Sequence, residues 1–498
     1  MNGVIDDSQG YVRTVFFNKL PAVASPEKHV HFKDKLWWTL GVLLLYFALA
    51  NVPLFGMSQD SVDLFESYRA FFAGASGSLI LLGIGPIVTA SIVLQLLVGA
   101  DIIKLDLSDP KDQAFFQGSQ KFLVLVMIIL EALPQLLGGY IQPDPGLASS
   151  LGVGLGVITF LLLVQIFIGG ALILFMDEVV SKWGIGSGVG LFIVAGISQQ
   201  IVTGIFNWQL DSSGLPVGLI PKWIYIVQNV GADYLLSGEG MLYMLVSGGI
   251  LALLSTIVIF LLVVYVESTR IEIPLAHSAV RGARGRFPVK LIYASVLPMI
   301  LVRALQANVQ MIGIILASRG ITFLGEFQGS TPLNGIMYYL APIHSPYDWI
   351  PSLVKQSFSG YGAATPANWQ IVLHVFTDAT MLVVGGIIFA LFWIETTGMG
   401  AKPTAQKIFN SGMQIPGFRR NISSIEKVTQ RYIPKVTVIG GAFIGILTLI
   451  ASLLGTLGST SGTGLLLAVS IVYRLYEDIA SEQMMEMHPM IRSFFGEQ

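Results

Sequence analysis

The chain has 498 residues, 53% of them hydrophobic and only 12% charged, with a formal net charge of −2 and a mean hydropathy of +0.72. Soluble domains carry about 25% charged residues, so half the usual charge is missing and an array of soluble globular domains is excluded. With no cysteine, disulfides and thiolate metal sites are excluded too.

Apolar runs near 20 residues recur along most of the sequence, each about the length of one helical crossing. Backbone exposed to lipid must satisfy its own hydrogen bonds, so these runs are predicted to be helices. The first 35 residues hold no apolar core of a cleavable signal peptide. Val12, Val15, Phe16, Phe17 and Leu20 make them partly amphipathic, either a helix lying along the cytoplasmic surface or a loosely ordered tail. Ten spans follow, near 36–54, 77–98, 120–140, 152–176, 187–206, 241–266, 289–317, 371–396, 433–455 and 462–478.

In chain order, the first distinctive segment lies between spans one and two. Residues 62–72 (VDLFESYRAFF) are amphipathic and too short and polar to span, which fits a stopper folded back into the bundle or an ordinary surface helix. Span two then reads LGIGPIVTAS at 82–91, and span seven reads ASVLPMI at 294–300. Each places a proline among aliphatic residues near its middle, where a kink is expected. The two spans hold the same rank if the chain is two five-span halves, and because five is odd the halves are inverted. Interrupted helices at matching positions of inverted halves point to a pathway at their interface. The residues around both prolines, Ile84, Val88 and Ile300, are aliphatic. Such a constriction blocks small ions by dewetting yet lets a flexible chain through.

Polar residues support a pathway. Span two carries Thr89, Ser91 and Gln95, span three Glu131, and span seven Arg303, Gln306, Asn308 and Gln310. An ionisable group facing lipid costs about 3 kcal/mol, so these face the bundle interior or water. Gln95 and Gln310 read as interhelical glue, Glu131 and Arg303 as lining of a functional cavity.

Charge fixes the orientation. With a cytoplasmic N-terminus, 23 of the 28 basic residues fall on the cytoplasmic side, four outside (Arg69, Lys222, Arg319, Lys355) and one, Arg303, within a span. The positive-inside rule then places both termini in the cytoplasm. The longest basic loops lie near 267–289 and 398–432. Their clusters, Arg281/Arg284/Arg286 and Arg419/Arg420, serve topology or grip an RNA backbone or anionic lipid.

These strings, with FQGSQK at 116–121, DEVVSKWGIGSGVGLFI at 177–193, EIPLAH at 272–277, WIETTG at 393–398 and VSIVY at 469–473, resemble the SecY family. Its members are alpha subunits of the Sec protein-conducting channel, and the likeness is strongest to the archaeal form, over nearly the whole chain. The resemblance implies an all-α polytopic fold, ten helices in two inverted halves around an hourglass pore that opens like a clamshell. The parts would be a cytoplasmic segment at 1–35, a first half at 36–206, an external hinge loop at 207–240, a second half at 241–478 and a tail at 479–498. The pore ring would be Ile84, Val88, Val189, Ile193, Ile300 and Leu467. A plug at about 62–76 would include Leu64, Phe65, Tyr68, Phe71 and Phe72. A lateral gate between spans two/three and seven/eight would carry Thr89, Glu131 and Asn308, admitting signal sequences and releasing transmembrane segments from nascent polypeptides into membrane lipid. Arg281, Arg284, Arg286, Arg419 and Arg420 would dock the ribosome. Implied partners are a SecE-like gamma subunit and a small beta subunit, in a cell membrane. Three features depart from the family pattern: Arg303, expected to line the outer funnel, the long outer loop at 318–370, and Asp378 early in span eight.

The alternative is a secondary transporter, which also uses inverted repeats and broken helices but needs a compact midplane site. An intramembrane enzyme needs a nucleophile and base on facing helices, and neither a GxSxG string nor paired aspartates are present, so no enzymatic activity and no cofactor are expected. GIGSGVG at 184–190 resembles a nucleotide loop, but without a preceding strand it reads as a turn or close packing. His29 and His31 read as solvated, and the sequon at Asn421 as cytoplasmic.

Overall fold

The computed structural model describes residues 21–487 apart from 60, 62–71, 100–101, 104, 106–109, 211–213, 236, 247, 278–283, 291–296, 361, 363, 411–412, 415–420 and 459–460. The amphipathic stretch at 12–20 therefore lies outside the described residues.

Each predicted span overlaps a helix: α1 (Phe32–Ala50), α2 (Gly85–Gly99), α3 (Pro110–Leu137), α4 (Leu155–Trp183), α5 (Gly188–Phe206), α6 (Ile250–Ser268), α7 (Leu297–Ser318), α8 (Asn368–Thr396), α9 (Ile422–Leu454) and α10 (Gly462–Met487). By length and composition, α3 to α9 are long and apolar enough to cross a membrane. Several helices overrun the predicted spans at polar ends that hydropathy does not count. α9 begins eleven residues early, where Asn421 accepts a hydrogen bond from Ser423 N (3.3 Å).

Two interruptions differ from expectation. Pro86 does not kink a helix; it is the second residue of α2, where its missing N–H costs nothing. The break in span two lies before it: residues 77–84 run as turns, with Gly83 at φ 56°. Pro298 lies in the first turn of the described part of α7, and residues 291–296 before it lie outside the described residues. Span six is divided at Gly249 (φ 78°), which separates α6 from a nine-residue helix, Gly238–Val246.

Among the described residues, both basic loops contain strands. β1 (Arg270–His277) pairs antiparallel with β2 (Arg284–Lys290), and β3 (Met413–Gln414) from the second loop pairs with the end of β1. One small sheet, ordered β2-β1-β3, thus joins both loops. The long outer loop is also ordered. Its helices Gly335–Leu340 and Pro351–Gly360 bury Tyr338, Val354 and Phe358 against Ile371 of α8.

The helices share one apolar core that draws on both halves of the sequence. Glycine allows the closest approaches. A Cβ on Gly169 of α4 would lie 1.8 Å from the carbonyl oxygen of Leu79, in the turns that lead into α2. Gly169→Ala should therefore destabilise the protein by roughly 1–3 kcal/mol. Gly41→Ala on α1, where a Cβ meets nothing within 4 Å, should be neutral or slightly stabilising. Thermal unfolding of the detergent-solubilised protein distinguishes the two.

Candidate functional site

The predicted ring residues come from four helices and the turn before α2. Ile84, Val88, Ile193, Ile300 and Leu467 are buried, and Val189 is half-buried against the same core. Val88, Val189 and Ile300 also line a cavity of about 280 Å³, whose other walls include Ser91, Gln95, Gln120 and Asp177. The predicted ring residues therefore abut a partly polar chamber. Gln95, expected to glue helices, instead lines this chamber, and its Oε1 has no protein partner.

Asp177 anchors one wall. Its Oδ1 accepts from Val189 N at 2.9 Å, placing a carboxylate at the N-terminus of α5 where the helix dipole favours it. A Cβ on Gly188 would lie 2.6 Å from Asp177 Cα, and Gly186 has φ 75°. The GIGSGVG string is thus a tight α4–α5 turn that holds Val189 at the chamber.

The predicted plug joins the ring at its C-terminal end. Phe72 is buried, and its carbonyl accepts from Ile84 N at 2.7 Å. Tyr46 of α1 donates its hydroxyl to Ala73 O at 2.8 Å. A Cβ on Gly83 would lie 2.0 Å from Phe72 O, so only glycine lets the two segments close here. Leu64, Phe65, Tyr68 and Phe71 lie outside the described residues.

Thr89, Glu131 and Asn308 come together from α2, α3 and α7. Asn308 Nδ2 donates to Thr89 Oγ1 at 3.2 Å, and the Thr89 side chain also bonds the buried Glu131 carboxyl. Glu131 Oε1 is buried without a protein partner.

Arg303 overturns its expectation. Rather than lining a funnel, it is 0% exposed, and every side-chain nitrogen meets a protein acceptor. Nη1 donates to Asp378 Oδ1 of α8 at 2.9 Å and to Gln306 Oε1 at 2.8 Å. Nε reaches Thr463 Oγ1 of α10 at 3.2 Å, and Nη2 reaches Ser452 Oγ of α9 at 3.4 Å. Asp378 Oδ1 also accepts from Gln306 Nε2 at 3.0 Å, and its Oδ2 from Ile343 N of the outer loop at 3.4 Å. The two unexpected charges are each other's partners. Sequence reading noted both without pairing them, although opposite charges in neighbouring spans are the usual signal of such a pair.

Of the basic residues, Arg284 and Arg286 lie on β2, opposite Ala276 and Pro274 of β1. Arg281, Arg419 and Arg420 lie outside the described residues. Among the described residues no group of three or more His, Asp or Glu is arranged to hold a metal.

Comparison with known proteins finds matches over nearly the whole chain. The SecY family model matches residues 78–476, and the model for the plug domain of Sec61p matches residues 44–77. The protein translocase subunit SecY of Archaeoglobus fulgidus is 60% identical over 484 residues, 97% of this chain and 98% of its own. A solved structure described as a protein conducting channel superposes with a TM-score of 0.76 at 38% identity, covering 95% of this chain and 98% of that one. Sec61 in a canine ribosome-channel complex from the endoplasmic reticulum gives a TM-score of 0.73 at 38% identity, with the same coverage.

Removing one member of a buried ion pair strands the other, at about 3–5 kcal/mol, whereas replacing both with apolar groups is often neutral. Arg303→Met alone should sharply lower the thermal stability of the purified protein. Arg303→Met combined with Asp378→Leu should recover most of the loss, which a double-mutant cycle of melting curves measures.

Proposed function

The chain belongs to the SecY family of protein translocase subunits, and from that membership we propose which of its residues conduct, seal and sort polypeptide. It is the central channel-forming subunit of the translocase, embedded in the membrane by multiple helices, and it conducts unfolded secretory proteins and releases transmembrane segments sideways.

The waist is Ile84, Val88, Val189, Ile193, Ile300 and Leu467. Its support is that these side chains, drawn from four helices and one turn, share one apolar core beside a partly polar chamber. Aliphatic walls hold no water for an ion, so the waist resists ions, yet they make no directional bonds that would arrest a sliding chain. The segment at about 62–76 plugs the resting channel. Its seat is the bond from Ile84 N to the Phe72 carbonyl, which ties the end of the plug directly to a waist residue. Thr89, Glu131 and Asn308 form the polar part of a lateral gate through which apolar segments pass into lipid.

Residues 36–206 and 241–478 act as the two halves of a clamshell hinged at 207–240, with both termini cytoplasmic in a cell membrane. The sheet β2-β1-β3 joins the two basic loops, with Arg284 and Arg286 on β2, and these two together with Arg281, Arg419 and Arg420 of the same loops dock the ribosome through RNA phosphates. A SecE-like subunit and a small beta subunit complete the complex. The transporter alternative gains no support, because the charges its midplane site needs, Arg303 and Asp378, are spent on each other.

The absence of native cysteine gives a direct test. Single cysteines at Ile84, Val189 and Ile300 should each form a disulfide with a stalled secretory chain carrying one cysteine. Cysteines at the exposed positions Leu161 and Phe260 should not. Absence of all three crosslinks, with the stalled chain engaged, would remove the waist assignment.

A further inference from the structure

α7 is the element that any opening between the two halves must displace, and its polar bonds divide into two unequal sets. Towards the second half it is held by Arg303, bonded to Asp378, Ser452 and Thr463, and by Gln310, whose Nε2 donates to Met337 O of the outer loop at 2.9 Å. Towards the first half only two side-chain hydrogen bonds are found among the described residues. One is Asn308 to Thr89, which belongs to the proposed polar cluster. The other lies farther out: Tyr140, just beyond the end of α3, donates its phenolic hydroxyl to the carbonyl oxygen of Ile314 at 3.0 Å.

Local geometry aims Tyr140 at α7. α3 ends at Leu137, and the chain turns through Gly138 and Gly139, the latter at φ 76°. Tyr140 N and Ile141 N both donate to Gln135 O, at 3.0 and 3.1 Å, which folds the chain back over the helix end. The ring then lies where a Cβ on Gly138 would be, 2.9 Å from two of its carbons. Beyond this point α3 and α7 have at most marginal contact among the described residues, whereas α2 packs against both α7 and α8. Beside the tyrosine opens a hollow of about 550 Å³ lined by Ile314, Ala317, Ser318, Glu326 and Phe327, which leaves the ring room to swing away.

We infer that Tyr140 is an outer latch of the lateral gate, a positioning residue whose single hydrogen bond to α7 holds the α3 side closed until an apolar segment displaces it. This rests on the proposed gate between α2/α3 and α7/α8. The acceptor is a backbone carbonyl, so no change of side chain on α7 removes it; the latch is controlled from the tyrosine. It differs from the Thr89–Asn308 bond in its place at the outer rim. Half-buried and neutral, it is worth only a 2- to 12-fold shift in the closed-to-open ratio. It therefore tunes how apolar a segment must be to open the gate, and does not decide whether the channel conducts.

The test compares Tyr140→Phe, which keeps the ring and removes the donor, with Asn308→Leu, which removes the inner bond. Both are assayed in the assembled channel in liposomes, on one secretory substrate with a strongly apolar signal and one with a weakened signal. Tyr140→Phe should raise transport of the weak-signal substrate about 3- to 10-fold, change the strong-signal substrate less than about twofold, and lower the melting temperature by no more than about 2 °C, the share of stability one such bond carries. If Asn308→Leu raises weak-signal transport and Tyr140→Phe does not, the latch is overturned and the gate stands. If neither variant changes it, the gate itself is misplaced. A rise in Tyr140→Phe accompanied by a fall in melting temperature of more than about 2 °C would also overturn the latch, since general loosening would account for it.

Discussion

A guanidinium and a carboxylate 2.9 Å apart, both wholly shielded from solvent, set the mechanical character of this channel. Neither charge is tolerable alone in a bundle surrounded by lipid, so Arg303 and Asp378 separate only at several kcal/mol. Ser452, Thr463, Gln306 and the Ile343 amide fill the remaining hydrogen-bonding positions around them. α7 is thereby committed to α8, α9, α10 and the outer loop. Whatever moves α7 moves that group with it.

The weak plane of the molecule follows from the comparison of bonds. Across the α2/α3 face, α7 is held by packing and by neutral hydrogen bonds worth about 1 kcal/mol each. Elsewhere the halves meet along α5 and α10 and the turn before α10, where a Cβ on Gly204 would lie 2.6 Å from Gly458 Cα. Backbones that close leave little freedom to part. A seam of weak bonds on one face and tight packing on another is what a one-sided opening requires. The proposed aliphatic waist could remain sealed around a chain throughout, since its contacts are non-directional.

Much of this was legible in the sequence. The ten apolar runs each contain a helix because hydropathy over about 20 residues reports the membrane environment directly. The ring residues, read from aliphatic positions and a family resemblance, do share one core. What escaped depends on distant partners. The strand Met413–Gln414 is two residues long and exists only because the end of β1, well over a hundred residues earlier, offers it an edge. Arg303 and Asp378 were each visible as anomalies, but their pairing is a fact of three-dimensional packing between residues 75 apart. Pro86 misled because proline suits the first turn of a helix as well as a kink, and only the turn before it, with Gly83 at φ 56°, shows which applies.

The central claim is that α7 travels with the second half when the channel engages a substrate. Spin labels on engineered cysteines at three exposed positions test it: Leu130 on α3, Ile312 on α7 and Ile446 on α9. Distances are measured by pulsed electron spin resonance with the channel idle and with a signal-bearing chain engaged. The account predicts that the Leu130–Ile312 distance lengthens while the Ile312–Ile446 distance stays unchanged. A change between Ile312 and Ile446 of similar size would contradict it, because α7 would then be moving independently of the helices to which Arg303 binds it.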